Sequence, residues 1–592
     1  MGTRPAPLRL LMERDVMVQM RDGMSLRADI YRPLEEGRYP VLLARTPYNK
    51  SLTAMAIGAM DPVRAVERGY AVVIQDVRGR YRSEGTFYPF VNEVNDGYDT
   101  VEWVASQPWA DGKTGMFGGS YVGATQWLAA VGGPPHLTAI CPMITAADYH
   151  EGWTYQGGAC AWGFLVSWTL AYLGAEAVVR RQEAGDISVE EIDRYVAAID
   201  GMAEQFGFLP LREFPHLREL APYFYDWLAH PGADAYWQAI GIAERHGRIG
   251  VPALNLGGWY DIFLGGTLRN FSGMQAHGAT PEARQGQRLL IGPWNHSIPT
   301  SSLVGGHDFG MRSGESLSPL MFDLQEVLLR WYDHWLKGRD NGVAQEAPVR
   351  VFVMGENAWH DEWAWPPAGA QLTPYYLHSS RGLAATAEGG TLSRSLPVAE
   401  EPDVYVYDPS DPVPTRGGGL CCYPNSMPGG VFDQTEIERR PDVLVFSTPP
   451  LDADLEVTGP VTVTLWAAST APDTDFTAKL VDVDPAGYAR NLTDGIIRAR
   501  YRAGTDTPLL IEPGRVYLYQ IDLGATSNLF RAGHQIRLEI SSSNFPRFDR
   551  NPNTGHAFGA DADLQTARQT IYHEQTWPSH VVLPIMARPS AR

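Results

Sequence analysis

Hydrophobic and polar positions change period along the chain, and each change predicts a change of architecture. In the first part, short apolar runs at Pro40–Ala44 and Tyr70–Gln75 alternate with turn clusters and a helical patch at Thr100–Ala105. Short strands separated by helices are the pattern of a parallel sheet, because each parallel crossover needs an intervening element. From 146 to 246 helical spacing takes over, with a capping-box signature at Ser188 and Glu191 ahead of Ile192, Tyr195, Val196 and Ile199. Strand-like runs resume at Pro252–Leu256 and Arg288–Ile291. A helix is then predicted with Ser318 as N-cap, Pro319 at its first position, Gly338 at its end and an apolar stripe of Leu320, Met321, Leu324, Val327, Leu328, Trp331 and Trp335. Beyond Gly342 the period falls to two, at Val349/Val351/Val353, Val461/Val463/Leu465, Val516/Leu518 and Ile536/Leu538/Ile540. The expected organisation is an α/β domain from 1–145 and 247–345, a helical cap inserted at 146–246, and a β-sandwich over 346–592.

Composition narrows the setting. The uncharged stretch Thr114–Ala147 is long enough to span a bilayer, but its glycines and prolines break it into strand, turn, helix and strand, so it reads as buried core. With 48 basic against 68 acidic residues the chain carries −20, which repels phosphate backbones and anionic membranes. Neither nucleic acid nor membrane is expected as a partner. The four cysteines, at 141, 160, 421 and 422, are too few and too clustered for a disulfide framework or a paired zinc-ligand motif. With no secretory-signal pattern at the N-terminus, a reducing, cytoplasmic setting is expected.

The strongest chemical signal is Gly-Gly-Ser-Tyr-Val-Gly at 118–123, between the apolar pair Met116–Phe117 and a helix-like run. A serine on a tight strand-to-helix turn projects its hydroxyl above the sheet, where helix N–H groups face a developing oxyanion. Ser120 fits that place, although Val122 stands where the strict motif has its last glycine and Gly123 comes one later. A serine nucleophile needs a base and an orienting carboxylate, which hydrolases of this type supply in the chain order Ser, Asp, His. Asp261 follows the run ending at Leu256, and His296 follows Leu-Leu-Ile-Gly-Pro-Trp-Asn; His307 is the nearest downstream rival.

These segments, with Arg-Thr-Pro-Tyr-Asn-Lys at 45–50, Asp-Val-Arg-Gly-Arg-Tyr-Arg-Ser-Glu-Gly at 76–85 and Asn-Phe-Pro-Arg-Phe-Asp-Arg-Asn at 544–551, resemble the family of cocaine esterase and X-Pro dipeptidyl-peptidases over nearly the whole chain. The resemblance implies an α/β-hydrolase domain with an inserted helical cap and a C-terminal jelly-roll sandwich at the active-site mouth. It makes Ser120 the nucleophile, His296 the base and then acid, Asp261 the orienting carboxylate, and the Tyr48 hydroxyl and Tyr121 N–H the oxyanion donors. It also suggests an apolar acyl site at Phe263; apart from the resemblance, Trp153, Trp162 and Trp168 of the cap are aromatic pocket candidates, although cap aromatics more often pack as core. Related α-amino acid ester hydrolases carry carboxylates two and three residues past the acid, where this chain has Phe263 and Leu264. The expected activity is hydrolysis of a small-molecule ester or amide without a cofactor. Acylase or X-Pro dipeptidyl-peptidase activity on the same site, a non-catalytic binding scaffold using the sandwich, and assembly as a homo-oligomer stay open.

Other motifs read as structure. Gly112–Thr114 lacks the earlier glycine of a phosphate loop, Asp482–Gly487 reads as a hairpin turn instead of a calcium loop, and Arg78, Arg80 and Arg82 read as a loop paired with local carboxylates such as Glu84 and Glu93. No metal-ligand constellation is apparent in the sequence, and Cys421 and Cys422, on a loop that could reach the cleft, have no assigned role.

Overall fold

The computed structural model describes residues 9–52, 60–297, 301–314, 322–379 and 389–587. Its first sheet opens with the antiparallel pair β1 (Leu10–Gln19) and β2 (Ser25–Pro33). There follow β3 (Tyr39–Thr46), β4 (Ala71–Asp76), β5 (Ala110–Gly119) and β6 (Leu137–Met143). A short hairpin in the cap, β7 (Tyr155–Gln156) and β8 (Ala159–Cys160), precedes β9 (Leu254–Tyr260) and β10 (Arg288–Asn295). A second small hairpin, β11 (Leu303–Val304) with β12 (His307–Asp308), leads to β13 (Val349–Val353) and β14 (Ala358–Glu362). The sheet order is β1-β2-β4-β3-β5-β6-β9-β10-β13-β14, and every pairing from β4 across to β13 is parallel. Parallel strands end at one edge of the sheet, so the residues just past β3, β5, β9 and β10 share that edge, where open α/β sheets bind ligands.

Two sequence expectations are corrected here. The alternating Val349/Val351/Val353 was expected in the sandwich from 346 onward, but this strand is β13 and pairs in parallel with β10, with antiparallel β14 beyond it. The hydrolase sheet therefore runs to Glu362. Only Arg350 in this strand is exposed; Phe352 is buried along with Val349, Val351 and Val353, as suits a strand inside the sheet instead of a one-sided sandwich strand. The helix expected to start at Pro319 spans Leu324–Trp335, with the Asp323 carboxylate accepting from the Glu326 N–H at 3.0 Å as its cap. Ser318, Pro319, Leu320 and Met321 lie outside the described residues.

The uncharged Thr114–Ala147 segment forms β5, the helix Tyr121–Gly132 and β6, all in the core. A different stretch, the helix over Trp162–Ala184, is long and apolar enough to cross a membrane, and 72% of its apolar window is buried inside the protein. That helix belongs to the cap between β6 and β9, whose later helix Val189–Asp200 carries the Ser188/Glu191 capping box. Beyond β14, eleven strands among the described residues, from Ala370–His378 to His580–Met586, make the C-terminal β-sandwich. Asp484 there closes a hairpin turn by accepting from the N–H groups of Ala486 and Tyr488 at 2.9 and 3.1 Å. The molecule is an α/β-hydrolase domain with a helical cap and a C-terminal β-sandwich.

Candidate active site

Ser120, one residue past β5 and at the start of the helix Tyr121–Gly132, has φ 58° and ψ −125°, a conformation that L residues rarely occupy. Its neighbours explain how the turn is tolerated. Gly118 has φ 130°, and a Cβ on it would lie 2.2 Å from the Val122 side chain; a Cβ on Gly123 would lie 2.8 Å from Thr145. The displaced glycine is thus required by close packing against the end of β6 and the loop after it. The Ser120 N–H donates to the Met143 carbonyl at 2.9 Å, which ties the elbow to β6.

Asp261 and His296, one residue past β9 and β10, meet at this edge. His296 Nδ1 lies 2.7 Å from Asp261 Oδ1, and Nε2 lies 3.0 Å from Ser120 Oγ. Asp261 is buried, whereas Ser120 and His296 are half-buried and open to the cleft. The rival His307 sits in the β11–β12 hairpin with its ring against Phe309, and burial lowers its pKa.

Tyr48, two residues past β3, reaches the same point. Its hydroxyl accepts from Trp168 Nε1–H at 3.0 Å and also bonds Ser120, and burial pushes its pKa up to about 12. Indole N–H can only donate, so it occupies a lone pair of the phenol and leaves the O–H to point elsewhere. Tyr121 is the first residue of the helix after Ser120, where N–H groups have no intrahelical acceptor. Its side chain is fully buried: the hydroxyl donates to Glu93 Oε1 at 2.9 Å and accepts from the Phe90 N–H at 3.0 Å.

Beside Ser120, Trp153 and Trp168 of the cap and Phe263 after β9 form an aromatic wall whose members are almost fully buried. Trp153 stacks on Phe263 with ring centres 4.2 Å apart, Trp168 meets Trp153 edge-on at 5.3 Å, and Phe263 meets the His296 ring edge-on at 5.1 Å. Trp162 points away, its N–H donating to the Phe206 carbonyl inside the cap. Phe263 and Leu264 are buried, and neither offers a charge to this wall.

Of the arginine cluster, Arg78 and Arg80 pair internally, with partners other than those expected, while Arg82 is exposed. Arg78 binds Asp96 and Asp22, Arg80 binds Glu176, and Glu93 belongs to Arg45. Arg80 also donates to the carbonyls of Pro47 at 3.0 Å and Leu173 at 2.8 Å, and so bridges the Tyr48 segment and the cap. Sequence reasoning missed this role because both acceptors are backbone groups. It also left unassigned Cys421 and Cys422, which the structure joins in a disulfide and places beside His296.

Residues 22–298 match the X-Pro dipeptidyl-peptidase (S15) family, and residues 341–582 match the X-Pro dipeptidyl-peptidase C-terminal non-catalytic domain. Cocaine esterase of Rhodococcus is 41% identical, over 97% of this chain and 98% of its own. Among solved structures, an α-amino acid ester hydrolase superposes with a TM-score of 0.79 at 27% identity, covering 99% of this chain and 98% of its own. An aminopeptidase from a marine sediment Thaumarchaeota archaeon gives 0.77 at 26% identity with the same coverage.

Proposed function

Because the chain belongs to the X-Pro dipeptidyl-peptidase (S15) family and is a serine ester hydrolase of the cocaine esterase type, we propose that Ser120, His296 and Asp261 are its catalytic triad. The observation that carries this reading is the unbroken hydrogen-bond chain from Asp261 through His296 to a serine on a left-handed strand-to-helix turn. Ser120 Oγ attacks the ester carbonyl carbon while its proton passes to His296 Nε2, and Asp261 holds the Nδ1 proton and stabilises the imidazolium. The carbonyl oxygen, now an oxyanion, receives the Tyr121 N–H and the Tyr48 O–H. His296 hands its proton to the departing alcohol, leaving the acyl group on Ser120. Water, deprotonated by the same nitrogen, then repeats the attack and releases the acid. These steps use only the chain's own groups and water.

The wall of Trp153, Trp168 and Phe263 favours a flat, apolar acyl group, so esters of aromatic acids are the proposed substrates. An α-ammonium substrate is disfavoured by Phe263 and Leu264, which offer it no counter-charge. The proposed compartment is the cytoplasm, where the Cys421–Cys422 disulfide of this structure would be kept reduced. The test is a burst-phase assay of the parent and Ser120→Ala on p-nitrophenyl esters, a benzoate ester, a Pro-linked dipeptide anilide and a glutaryl amide. The parent is expected to prefer the benzoate, and the variant to lose at least about 10⁴-fold in kcat. An unchanged kcat in the variant would refute the triad; cleavage of the anilide or the amide would move the assignment to peptidase or acylase.

A further inference from the structure

Cys421 and Cys422 lie on a loop that the sandwich sends to the mouth of the cleft. Gly417 and Gly418 turn it through φ of 73° and 87°, and Cys422 itself stands at 80°, a region that non-glycine residues occupy only when their surroundings hold them there. The surroundings do so. Gly419 packs on the Asp261 backbone, the Tyr172 hydroxyl donates to the Cys422 carbonyl at 2.9 Å, and Asn295 donates to the Gly429 carbonyl at 3.3 Å. The loop is thereby fixed against both segments that carry Asp261 and His296. As a result the two sulfurs and a ring nitrogen of His296 lie within 4.8 Å of one another. A bond between adjacent residues closes almost no loop, so it restricts the unfolded chain very little and stability does not account for its position.

Two thiolates and an imidazole are the donor set of a borderline or soft divalent cation. Bonds of about 2.3 Å to sulfur and about 2.0 Å to nitrogen put tetrahedral donors roughly 3.5–4 Å apart, a separation the two sulfurs, bonded to each other in this structure, reach only once the disulfide is reduced. We propose that Cys421, Cys422 and His296 form, once the cysteine pair is reduced, an inhibitory site for zinc or cadmium ions, and that the disulfide is the state in which the hydrolase is free of it. The inhibitory part rests on His296 being the catalytic base. Nδ1 is engaged by Asp261, so the lone pair open to a cation is that of Nε2, which must otherwise take the Ser120 proton. The cation and the reaction compete for one electron pair. The chemistry balances with a phosphine as reductant: it takes the oxygen of one water and gives two electrons to the S–S bond, and the two water protons end on the two sulfurs. Binding then releases both thiol protons as the cation takes two thiolates and the imidazole nitrogen.

The test uses full-length enzyme, oxidised or reduced with a phosphine and then desalted without oxygen, titrated with cadmium ions. The ultraviolet thiolate-to-metal absorption band and esterase turnover are both followed. In the reduced enzyme the band is expected to appear and turnover to fall in step by about tenfold or more, with both effects reversed by a chelator. The oxidised enzyme and a Cys421→Ser/Cys422→Ser variant, each measured against its own metal-free rate, are expected to show no band and no such loss. His296→Ala, read by the band alone, is expected to keep it with weaker affinity. Cysteines that the phosphine fails to expose, a reduced enzyme without the band, a band without loss of turnover, equal loss in the oxidised enzyme, or undiminished affinity in His296→Ala would each overturn the proposal. Absence of turnover before any metal is added would refute the esterase reading instead, while the band with and without His296 would still decide the site.

Discussion

At the residue scale, Tyr48 shows how burial sets chemistry. With its pKa near 12, the phenol stays a neutral donor throughout the pH range in which the protein is handled, so ionisation of Tyr48 sets no alkaline limit on activity below that value. Tyr48→Phe keeps the edge contact with Tyr172 but removes the hydroxyl proposed as an oxyanion donor, and kcat is expected to fall about 10²–10³-fold with KM little changed. Steady-state kinetics on a p-nitrophenyl ester check this, and a parental kcat would move the oxyanion donor elsewhere. Asp76, buried at the end of β4 and accepting from the Lys50 N–H at 2.7 Å, is raised by burial from 3.8 to about 6. A carboxyl with a folded pKa above its unfolded value holds more protons when folded. Its contribution therefore favours the folded state at low pH and is lost as pH climbs from about 4 through about 6. Asp76→Asn, which can still accept from Lys50, is expected to flatten the fall of Tm across that window; an unchanged slope in a thermal-melt series would assign the dependence to other groups. Neither property was legible in the sequence, since each depends on which side chains close over the group. Ser120 was legible because its turn is built by immediate neighbours.

At the scale of elements, the cap helix that carries Trp168 changes character where it meets the cleft. The α-helix Trp162–Trp168 runs into a π segment at Thr169–Gly174 before Ala175–Ala184 resumes as α. The wider turn disturbs the ordinary carbonyl ladder, and side chains supply donors there: Arg80 reaches the carbonyls of Tyr172 and Leu173, and the Tyr195 hydroxyl reaches that of Leu170. Arg80 simultaneously binds Glu176 at 3.1 Å and the Pro47 carbonyl beside Tyr48. Arg80→Ala leaves a buried carboxylate without this cation and is expected to lower stability by about 3–5 kcal/mol, with a drop in kcat as Tyr48 loses its anchor. Urea denaturation and the same kinetic assay check both parts, and an unchanged midpoint would show that Arg180, the other partner of Glu176, suffices alone. Helical periodicity placed a cap here, and the Ser188/Glu191 capping box was readable because it spans a single turn. The π segment and its arginine were not, because the partners lie on the far side of the cleft.

At the scale of the whole molecule, the sandwich shares the hydrolase core. Trp259, Tyr260, Leu268 and Phe271 of the first domain pack in one cluster with Val457, Leu523 and Phe530 of the second. The Tyr260 hydroxyl donates to the Asn491 carbonyl at 3.0 Å, and the Met354 N–H donates to the Ser527 carbonyl at 2.9 Å. A chain ended after Glu362 uncovers that apolar face and loses the loop packed on Asp261, so it is expected to aggregate and to show no esterase activity. Size-exclusion chromatography and near-ultraviolet circular dichroism check this, and a soluble active fragment would show the two cores to be separable. By itself the sequence determined the alternation of strands and helices, the capping box and the turn at Ser120, because periodicity, capping and turn chemistry act between residues close along the chain. Tertiary structure alone decided that β13 extends the hydrolase sheet, that Trp168 holds Tyr48, that Arg80 joins loop to cap, and that Cys421 and Cys422 stand beside His296. Each of those contacts joins segments far apart in the chain, so it depends on how sheet, cap and sandwich stack, which no local pattern encodes.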